Sequence, residues 1–303
     1  MQIKKYFNRN GYSIFLFHGV VKKNNFGIRN YNGKHILEND FYKFLKKIKQ
    51  EAEILPIENV INNFEKKNKK TKKKCIITFD DGFENNYSVA MPILDDLKIP
   101  ATFYFSTDFI ENNSMSWIDK IEYCIENTLQ ESIKLPWVKK KFLINTSFTK
   151  IKLLDYLRKK IKKDLSFNLN AFVTYMFNEC KMKEIKSLNT EIDKKISWSQ
   201  VKKIKTNKLF TVGGHGHEHF SFRSLSFKKF KEQIDKSFRL FERKINHKLE
   251  HYSYPEGQKI DFNKKISKYL KNKKILCCPS AIPGFNFKNT SLFELKRIPI
   301  IKR

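Results

Sequence analysis

The sequence predicts an α/β protein built on a parallel sheet or barrel, and three observations support this prediction. Short apolar runs of strand length alternate along the 303 residues with longer amphipathic stretches of helical period. The runs are apolar throughout, as in strands that are covered on both faces. Polar residues able to carry chemistry directly follow several runs, and the carboxyl edge of a parallel barrel is where active sites form.

Each element is predicted from its own pattern. Apolar runs bounded by polar or turn-forming residues predict about seven strands, at residues 13–17, 75–79, 101–105, 209–212, 251–254, 275–278 and 298–301. Amphipathic periodicity predicts helices, at residues 40–52, 85–97, 227–245 and 261–270. Residues 111–197 depart from the alternation, because they contain helical patterns at 151–162 and 171–179 but no clear strand. We therefore predict a single domain over residues 1–303 with a helical insertion at residues 111–197.

The composition is strongly basic. With 61 Lys and Arg against 31 Asp and Glu, the formal net charge is +30, which favours contact with anionic glycans, acidic lipid headgroups or nucleic acid. Lysine is abundant along the whole chain, however, which indicates a biased composition rather than a dedicated binding face. The dense lysine cluster at residues 66–74 is interpreted as a solvated loop. We predict no specific nucleic-acid partner.

The cysteines and the apolar segments indicate the cellular compartment of the protein. The 5 cysteines form no metal or disulfide pattern, and buried free thiols in a reducing compartment are predicted instead. The N-terminal apolar run is too short for a signal peptide, and no run approaches the ~20 residues of a spanning helix. We expect a cytoplasmic protein, with a peripheral position at the inner face of the membrane left open. The sequence does not predict an oligomeric state.

Two adjacent carboxylates end the second predicted strand. Residues 75–82 read Cys-Ile-Ile-Thr-Phe-Asp-Asp-Gly, so Asp80 and Asp81 lie side by side where the apolar run stops. Two like charges this close raise each other's proton affinity unless a cation separates their roles. A bound metal ion would do so by taking one carboxylate as a ligand and leaving the other free as a base.

A glycine-rich segment offers the other ligands. Residues 213–219 read Gly-Gly-His-Gly-His-Glu-His, and two imidazoles with one carboxylate leave an open position for water, as in hydrolytic zinc sites. The alternative is a loop of surface histidines. A second alternative is a zinc protease, because His215 to His219 also match H-x-x-E-H. That chemistry needs a helix, which the three neighbouring glycines disfavour.

These motifs together resemble the polysaccharide deacetylase family, the NodB-type carbohydrate esterases of family 4. The resemblance rests on Thr-Phe-Asp-Asp-Gly at 78–82 and the pair His215 and His219, with weaker similarity at 101–105, 196–198 and 252–257. It implies a distorted (β/α) barrel, a divalent metal ion, zinc in particular, and an N-acetylated carbohydrate as the substrate. Metal ligation would fall to Asp81 and the histidine pair. The remaining carboxylate, Asp80, would be the general base.

The resemblance also implies the groups that handle the oxyanion and the leaving amine. By motif position, the backbone N–H of Glu256, after Pro255, would bind the oxyanion. His18, in Phe-His-Gly at 17–19, resembles the N-terminal histidine of the circularly permuted poly-N-acetylglucosamine deacetylases and would protonate the amine. A structural role for this lone histidine is the alternative.

The sequence departs from the family pattern at three points. Gly216 replaces the usual Ser or Thr after the first ligand histidine, and no Asp-x-x-Asp-Trp motif is found. Ser253 replaces the arginine that orients the base, for which Arg297 is the candidate substitute, a surface charge being the alternative. We predict a metal-dependent glycan N-deacetylase acting on a bacterial cell-surface glycan or its precursor. The rival hypothesis is a non-catalytic, cationic module that binds glycan or another polyanion on the same fold.

Overall fold

A six-stranded parallel sheet forms the barrel wall in the computed structural model, which describes residues 4–8, 10–62 and 73–301. The strands are β1 (Tyr12–Phe17), β2 (Gly19–Val21), β3 (His35–Leu37), β4 (Ala52–Ile54), β5 (Lys73–Phe79), β6 (Ala101–Phe105), β7 (Ser132–Leu135), β8 (Val138–Leu143), β9 (Phe210–Gly214) and β10 (Ile298–Pro299). In the wall the order is β10-β1-β5-β6-β9, with β4 also paired to β5. Within the described residues, β2 pairs with β3 and β7 with β8, outside the wall.

The wall closes irregularly beyond β9, which makes the barrel distorted. A parallel bridge joins Gly214 to Tyr252, and another joins His251 to Cys277. The N–H of Arg297 then donates to the carbonyl of Ile282 over 3.0 Å, just before β10. The predicted α/β barrel is thus confirmed.

The prediction of complete strands at 251–254 and 275–278 is wrong, because these segments form isolated bridges only. Proline follows each at positions 255 and 279, and a proline nitrogen cannot donate to a ladder. The last strand is also shorter than the predicted 298–301, and β4 was not predicted.

Most helices pack against the wall, whereas those within residues 117–179 pack in a separate core. They are α1 (Glu38–Glu51), α2 (Glu58–Asn62), α3 (Met91–Asp96), α4 (Thr107–Asn112), α5 (Trp117–Asn127), α6 (Ser147–Ile161), α7 (Leu169–Glu179), α8 (Trp198–Thr206), α9 (Phe227–Ile245) and α10 (Lys264–Asn272). The predicted helix at 227–245 is confirmed at both ends: the Ser226 side chain accepts from the N–H of Lys229, and Asn246 ends the helix in the left-handed conformation. A π-helical turn, Asn86–Ala90, precedes α3.

Strand alternation divides the core in two. Phe15 and Phe17 of β1 pack with Phe79 of β5 in the cluster beneath the helices. Tyr12 and Ile14 point the other way, into a smaller cluster inside the barrel. We call the inward-facing positions of a strand its inward row. Because side chains alternate with a period of two, the next residue of each inward row after the strand lies at the carboxyl edge of the barrel.

The segment between β6 and β9 has its own hydrophobic core, which includes Ile121, Leu154 and Met176. The prediction that residues 111–197 contain no strand is wrong, because β7 and β8 form an antiparallel hairpin there. The residues of β8 are half-buried or exposed and include three successive lysines, so the hairpin has no apolar run that the sequence could reveal. The boundaries 111–197 and the single domain 1–303 stay predictions.

Three other expectations concern the cysteines, the lysine cluster and membrane-spanning helices. All five cysteines are buried and free. The lysine cluster at 66–74 lies outside the described residues up to position 72. In the part of the chain that the structure describes, no helix is long and apolar enough to cross a membrane.

Candidate active site

Asp80 and Asp81 diverge at the end of β5. Asp80 continues the inward row of Ile76 and Thr78, and its N–H donates to the carbonyl of Phe17 over 3.0 Å. The chain then turns through left-handed backbone at Asp81 (φ 75°) and Gly82 (φ 90°). Such a conformation is costly for a residue with a side chain. Because the backbone reverses between the two aspartates, their carboxylates have different closest partners, although His215 Nε2 lies near both, 3.7 Å from Asp80 Oδ2 and 3.6 Å from Asp81 Oδ1.

Asp81 faces the two histidines of the loop that follows β9. Its Oδ1 lies 3.1 Å from Nε2 of His219 and 3.6 Å from Nε2 of His215. The ring of His219 stacks on Phe109 at 5.5 Å, and its backbone is left-handed (φ 59°). The loop is not helical, so the zinc-protease alternative is wrong.

The three side chains fit a divalent metal ion. One donor atom of each of Asp81, His215 and His219 lies within 4.8 Å of the others. Asp81 Oδ1 is buried without a hydrogen-bond donor in suitable geometry, as expected for an atom whose partner is a cation. Burial raises the pKa of Asp81, but the adjacent imidazoles outweigh it and hold that pKa well below the usual range. One carboxylate and two imidazoles match the donor set of catalytic zinc.

Ser253 fixes the orientation of His215. Its hydroxyl lies 2.7 Å from Nδ1 of His215 and its carbonyl 3.1 Å from the same atom. This occupies Nδ1 and leaves Nε2 for a metal, the usual arrangement behind a ligating histidine. The Ser106 hydroxyl donates to the carbonyl of His215 over 2.8 Å, and Gly216 N–H donates to the hydroxyl of Tyr252 over 3.0 Å. Backbone and hydroxyl contacts therefore hold the loop without a hydroxyl at 216.

Arg297 pairs with Asp80 through two parallel hydrogen bonds. Both guanidinium Nη atoms lie 2.7 Å from the carboxylate oxygens, and Nε donates to the carbonyl of Ser280 over 2.6 Å. Arg297 is fully buried. Burial raises the pKa of Asp80, but the charge and hydrogen bonds of Arg297 together with the neighbouring His215 hold the pKa below its usual range. Bidentate pairing also fixes the plane of the carboxylate.

His18 extends the inward row of β1 and is half-buried at the barrel edge. Burial lowers its pKa to about 4, although the charges of Asp81 and Asp80 act in the opposite direction. Its imidazole is therefore neutral at pH 7.

One cavity of about 260 Å³ brings most of the predicted site residues together. Its lining includes His18, Asp80, Asp81, His215, His219 and Glu256. Two predicted residues do not line it. Arg297 lies behind Asp80, and Pro255 packs near Gly216, where an added Cβ would lie 3.0 Å from the proline ring.

Glu256 has a left-handed backbone (φ 60°) and a half-buried carboxylate. Within the described residues, its N–H has no hydrogen-bond acceptor. Its Oε2 lies 2.5 Å from Nζ of Lys162, and Trp117 Nε1 donates to Oε1 over 3.5 Å. Burial raises the pKa of Glu256, but Lys162 together with His219 and Arg158 lowers the pKa to about 2.

Several residues of the site were not predicted from the sequence. Lys162, Trp117 and Lys34 contribute to its walls, and Phe109 and Ser253 support the histidines. Lys162, Trp117 and Lys34 belong to no sequence motif, and packing between distant parts of the chain brings them to the site. Ser253 has a sequence signal, since it lies within the third motif. That motif predicts an arginine at this position, however, and not a hydroxyl that supports a ligand histidine.

A protein-family model described as "Polysaccharide deacetylase" matches residues 67–137 and 144–276. The matched region contains the carboxylate pair and both loop histidines but not His18 or Arg297, which lie towards the two ends of the chain. A comparison with curated proteins found no significant match.

Solved structures with similar folds are deacetylases of low sequence identity. A Streptococcus pyogenes deacetylase, PplD, solved in complex with acetate, is 16% identical, with a TM-score of 0.61 over 96% of this chain and 92% of that one. IcaB from Ammonifex degensii is 13% identical, with a TM-score of 0.58 over 96% and 92%. A de-N-acetylase from Aggregatibacter actinomycetemcomitans is 14% identical, with a TM-score of 0.54 over 95% and 94%. At these identities the similarity establishes the fold.

Proposed function

We propose that this chain, which belongs to the polysaccharide deacetylase family of enzymes, removes the N-acetyl group from a sugar residue of a glycan by metal-dependent hydrolysis. One observation carries the proposal. The two adjacent carboxylates differ in their closest partner, Asp81 lying 3.1 Å from His219 and Asp80 pairing with Arg297, while His215 lies within 3.7 Å of both. The first set suits a metal ligand, and the second keeps an ionised base beside it.

Asp81, His215 and His219 would hold a divalent ion, which we propose is Zn²⁺. When bound, the ion would supply Lewis acidity to the attacking water and the acetamide carbonyl. Asp80 accepts the proton of the water as the general base. Arg297 keeps Asp80 ionised and fixes the direction in which its carboxylate accepts that proton.

Glu256 and His18 act on the other atoms of the amide. The N–H of Glu256 donates to the acyl oxygen as negative charge develops there. His18 is neutral at pH 7, so it can act as an acid only after it gains a proton: the proton that Asp80 takes from the water passes to His18 and then to the leaving nitrogen. A C–O bond forms and the C–N bond breaks, and the amine also takes up the proton of the resulting acetic acid, so that one amide and one water give one acetate ion and one protonated amine.

The substrate class follows from the family and the chemistry. We propose an N-acetylated polysaccharide or its precursor, in particular one of the bacterial cell surface. The S. pyogenes relative was solved with acetate, which is the product that this reaction would release here.

Acetate release from N-acetylglucosamine oligomers tests the proposal. The protein should release acetate when loaded with Zn²⁺, lose activity after chelation and regain it when the ion is added back. His219→Ala should lose both metal and activity, while Asp96→Asn, an exposed carboxylate on the outer surface, serves as the matched control. Unchanged acetate release by chelated protein or by His219→Ala would refute the metal-dependent mechanism.

The net charge of +30 favours a second candidate, a non-catalytic module that binds polyanions. Counterion release would make such binding steeply salt-dependent. Strong, salt-dependent retention on a polyanion, without a stoichiometric metal ion after chelation and re-addition, would favour the module over the enzyme.

A further inference from the structure

Glu256 lies in a tight turn, residues 255–257, and its side chain is ion-paired. It adopts φ 60°, and the next residue, Gly257, adopts φ 64°. The N–H of Gly257 donates to the carbonyl of Pro255 over 2.6 Å, so the turn is tight. An added Cβ at Gly257 would lie 2.6 Å from the nitrogen of Ala281, which leaves no space for a side chain there. On this side the turn is held by backbone, because the N–H of Ala281 donates to the carbonyl of Gly257 over 2.8 Å. The Glu256 side chain supplies the contact on the other side.

Both groups that hold this side chain come from the segment between β6 and β9. The ion pair to Lys162 measures 2.5 Å, and the glutamate side chain is only 16% exposed. Trp117 Nε1 is the second donor, at 3.5 Å. A carboxylate with so little solvent contact needs a paired charge to stay in place, and Lys162 supplies it.

The core of the inserted segment fixes Lys162 in turn. Lys162 follows the last residue of α6, Ile161, which is buried in the separate core of the segment. Its N–H donates to the carbonyl of Arg158 over 3.2 Å, and a cation at this end of a helix is favourable. The Lys162–Glu256 pair lines the cavity that contains Asp80 and a smaller adjoining cavity of about 50 Å³.

We propose that Lys162 is a positioning residue for the hydrolysis: its ion pair with Glu256 holds the 255–257 turn so that the N–H of residue 256 faces the developing oxyanion. Lys162 acts through the backbone of another residue and makes no contact with the reacting atoms. The inserted segment thereby helps to assemble the catalytic site. The catalytic effect of Lys162 rests on the proposed function, whereas the structural coupling between Lys162 and the 255–257 turn does not.

Lys162→Met tests the proposal, with Lys162→Arg as the conservative variant and Lys163→Met as the matched control. Lys163 is exposed and lies next in the chain. We expect Lys162→Met to lower kcat by about tenfold, with KM and metal stoichiometry nearly unchanged, because loss of a whole oxyanion donor costs about 10²–10³. Lys162→Arg should restore most of kcat. A rise in KM without a fall in kcat, or a kcat equal to that of Lys163→Met, would overturn the proposal.

Hydrogen exchange provides a readout that does not depend on activity. Amides of a peptide spanning 252–258 should exchange at least about tenfold faster in Lys162→Met than in wild type or Lys163→Met, because the turn opens more often. Unchanged exchange would overturn the coupling whatever the activity. Faster exchange in a protein that binds Zn²⁺ but releases no acetate would contradict the proposed function and leave the coupling in place.

Discussion

The two walls of the cavity are built in different ways. On the barrel side, inward strand positions carry His18 and Asp80, and the Asp80–Arg297 pair is almost wholly buried, with side chains 4% and 0% exposed. On the opposite side, Glu256 meets Lys162, whose side chain is 38% exposed. The barrel side therefore fixes the charges used in the chemistry, whereas the inserted side uses a weaker, solvent-accessible pair to set the position of a backbone turn.

Arg297→Leu should have the largest effect on stability. It leaves Asp80 buried without its cation, and breaking a buried ion pair costs about 3–5 kcal/mol. Urea unfolding should show this loss. Arg297→Lys should recover part of it, because lysine keeps the charge but not the two parallel hydrogen bonds. A loss below about 1 kcal/mol for Arg297→Leu would contradict the contrast between the two walls.

Ser253→Ala should weaken metal binding with little effect on folding. The variant removes the hydroxyl 2.7 Å from Nδ1 of His215, while the carbonyl at 3.1 Å remains. Loss of such a supporting contact typically lowers metal affinity 10–100-fold, and we expect the lower end. Competition with a chromophoric chelator measures the affinity, and Ser88→Ala, on the outer surface, is the control. Unchanged affinity would mean that the hydroxyl does not orient the ligand.

Lys162→Met should change the free energy of unfolding by only about 1 kcal/mol, because its pair is partly exposed. Lys259→Met, which breaks a more exposed pair with Glu294, should change it less. The same urea titrations as for Arg297→Leu place all three pairs on one scale. Equal losses for Lys162→Met and Arg297→Leu would remove the distinction between the walls.

The pH dependence of the Glu256 contribution tests the same ion pair by titration. Its folded pKa of about 2 is below the ordinary value of 4.5, so its ionised form stabilises the fold above about pH 4.5 and the contribution is lost as pH falls towards 2. The stability difference between wild type and Glu256→Gln should therefore be constant above pH 4.5 and shrink below it. A difference that grows on acidification would have the wrong sign.

The barrel side could be predicted from the sequence because its information is local. Apolar runs predict β1, β5, β6 and β9, and His18 and Asp80, which directly follow two of these runs, lie at the carboxyl edge. Membership of the polysaccharide deacetylase family confirms the resemblance inferred from these motifs. The hairpin β7–β8 and the strand β4 are not predicted by the sequence, because short, half-exposed strands contain no apolar run.

The inserted side could not be predicted because its contacts join residues far apart in the chain. Lys162 and Glu256 are separated by 94 positions, and one lysine among many carries no distinguishing pattern. The barrel side has the same limit at one pair, because the sequence predicts Arg297 only as a candidate when its partner Asp80 is 217 positions away. The left-handed backbone at Asp81, His219 and Glu256 was likewise not visible in the sequence.

The central claim, that adjacent carboxylates divide ligand and base between them, is tested most directly by measuring bound metal and acetate release together in two variants. Asp80→Asn should retain a stoichiometric divalent ion and lose acetate release. Asp81→Ala should lose both. A stoichiometric ion in Asp81→Ala, or wild-type acetate release by Asp80→Asn, would contradict the account.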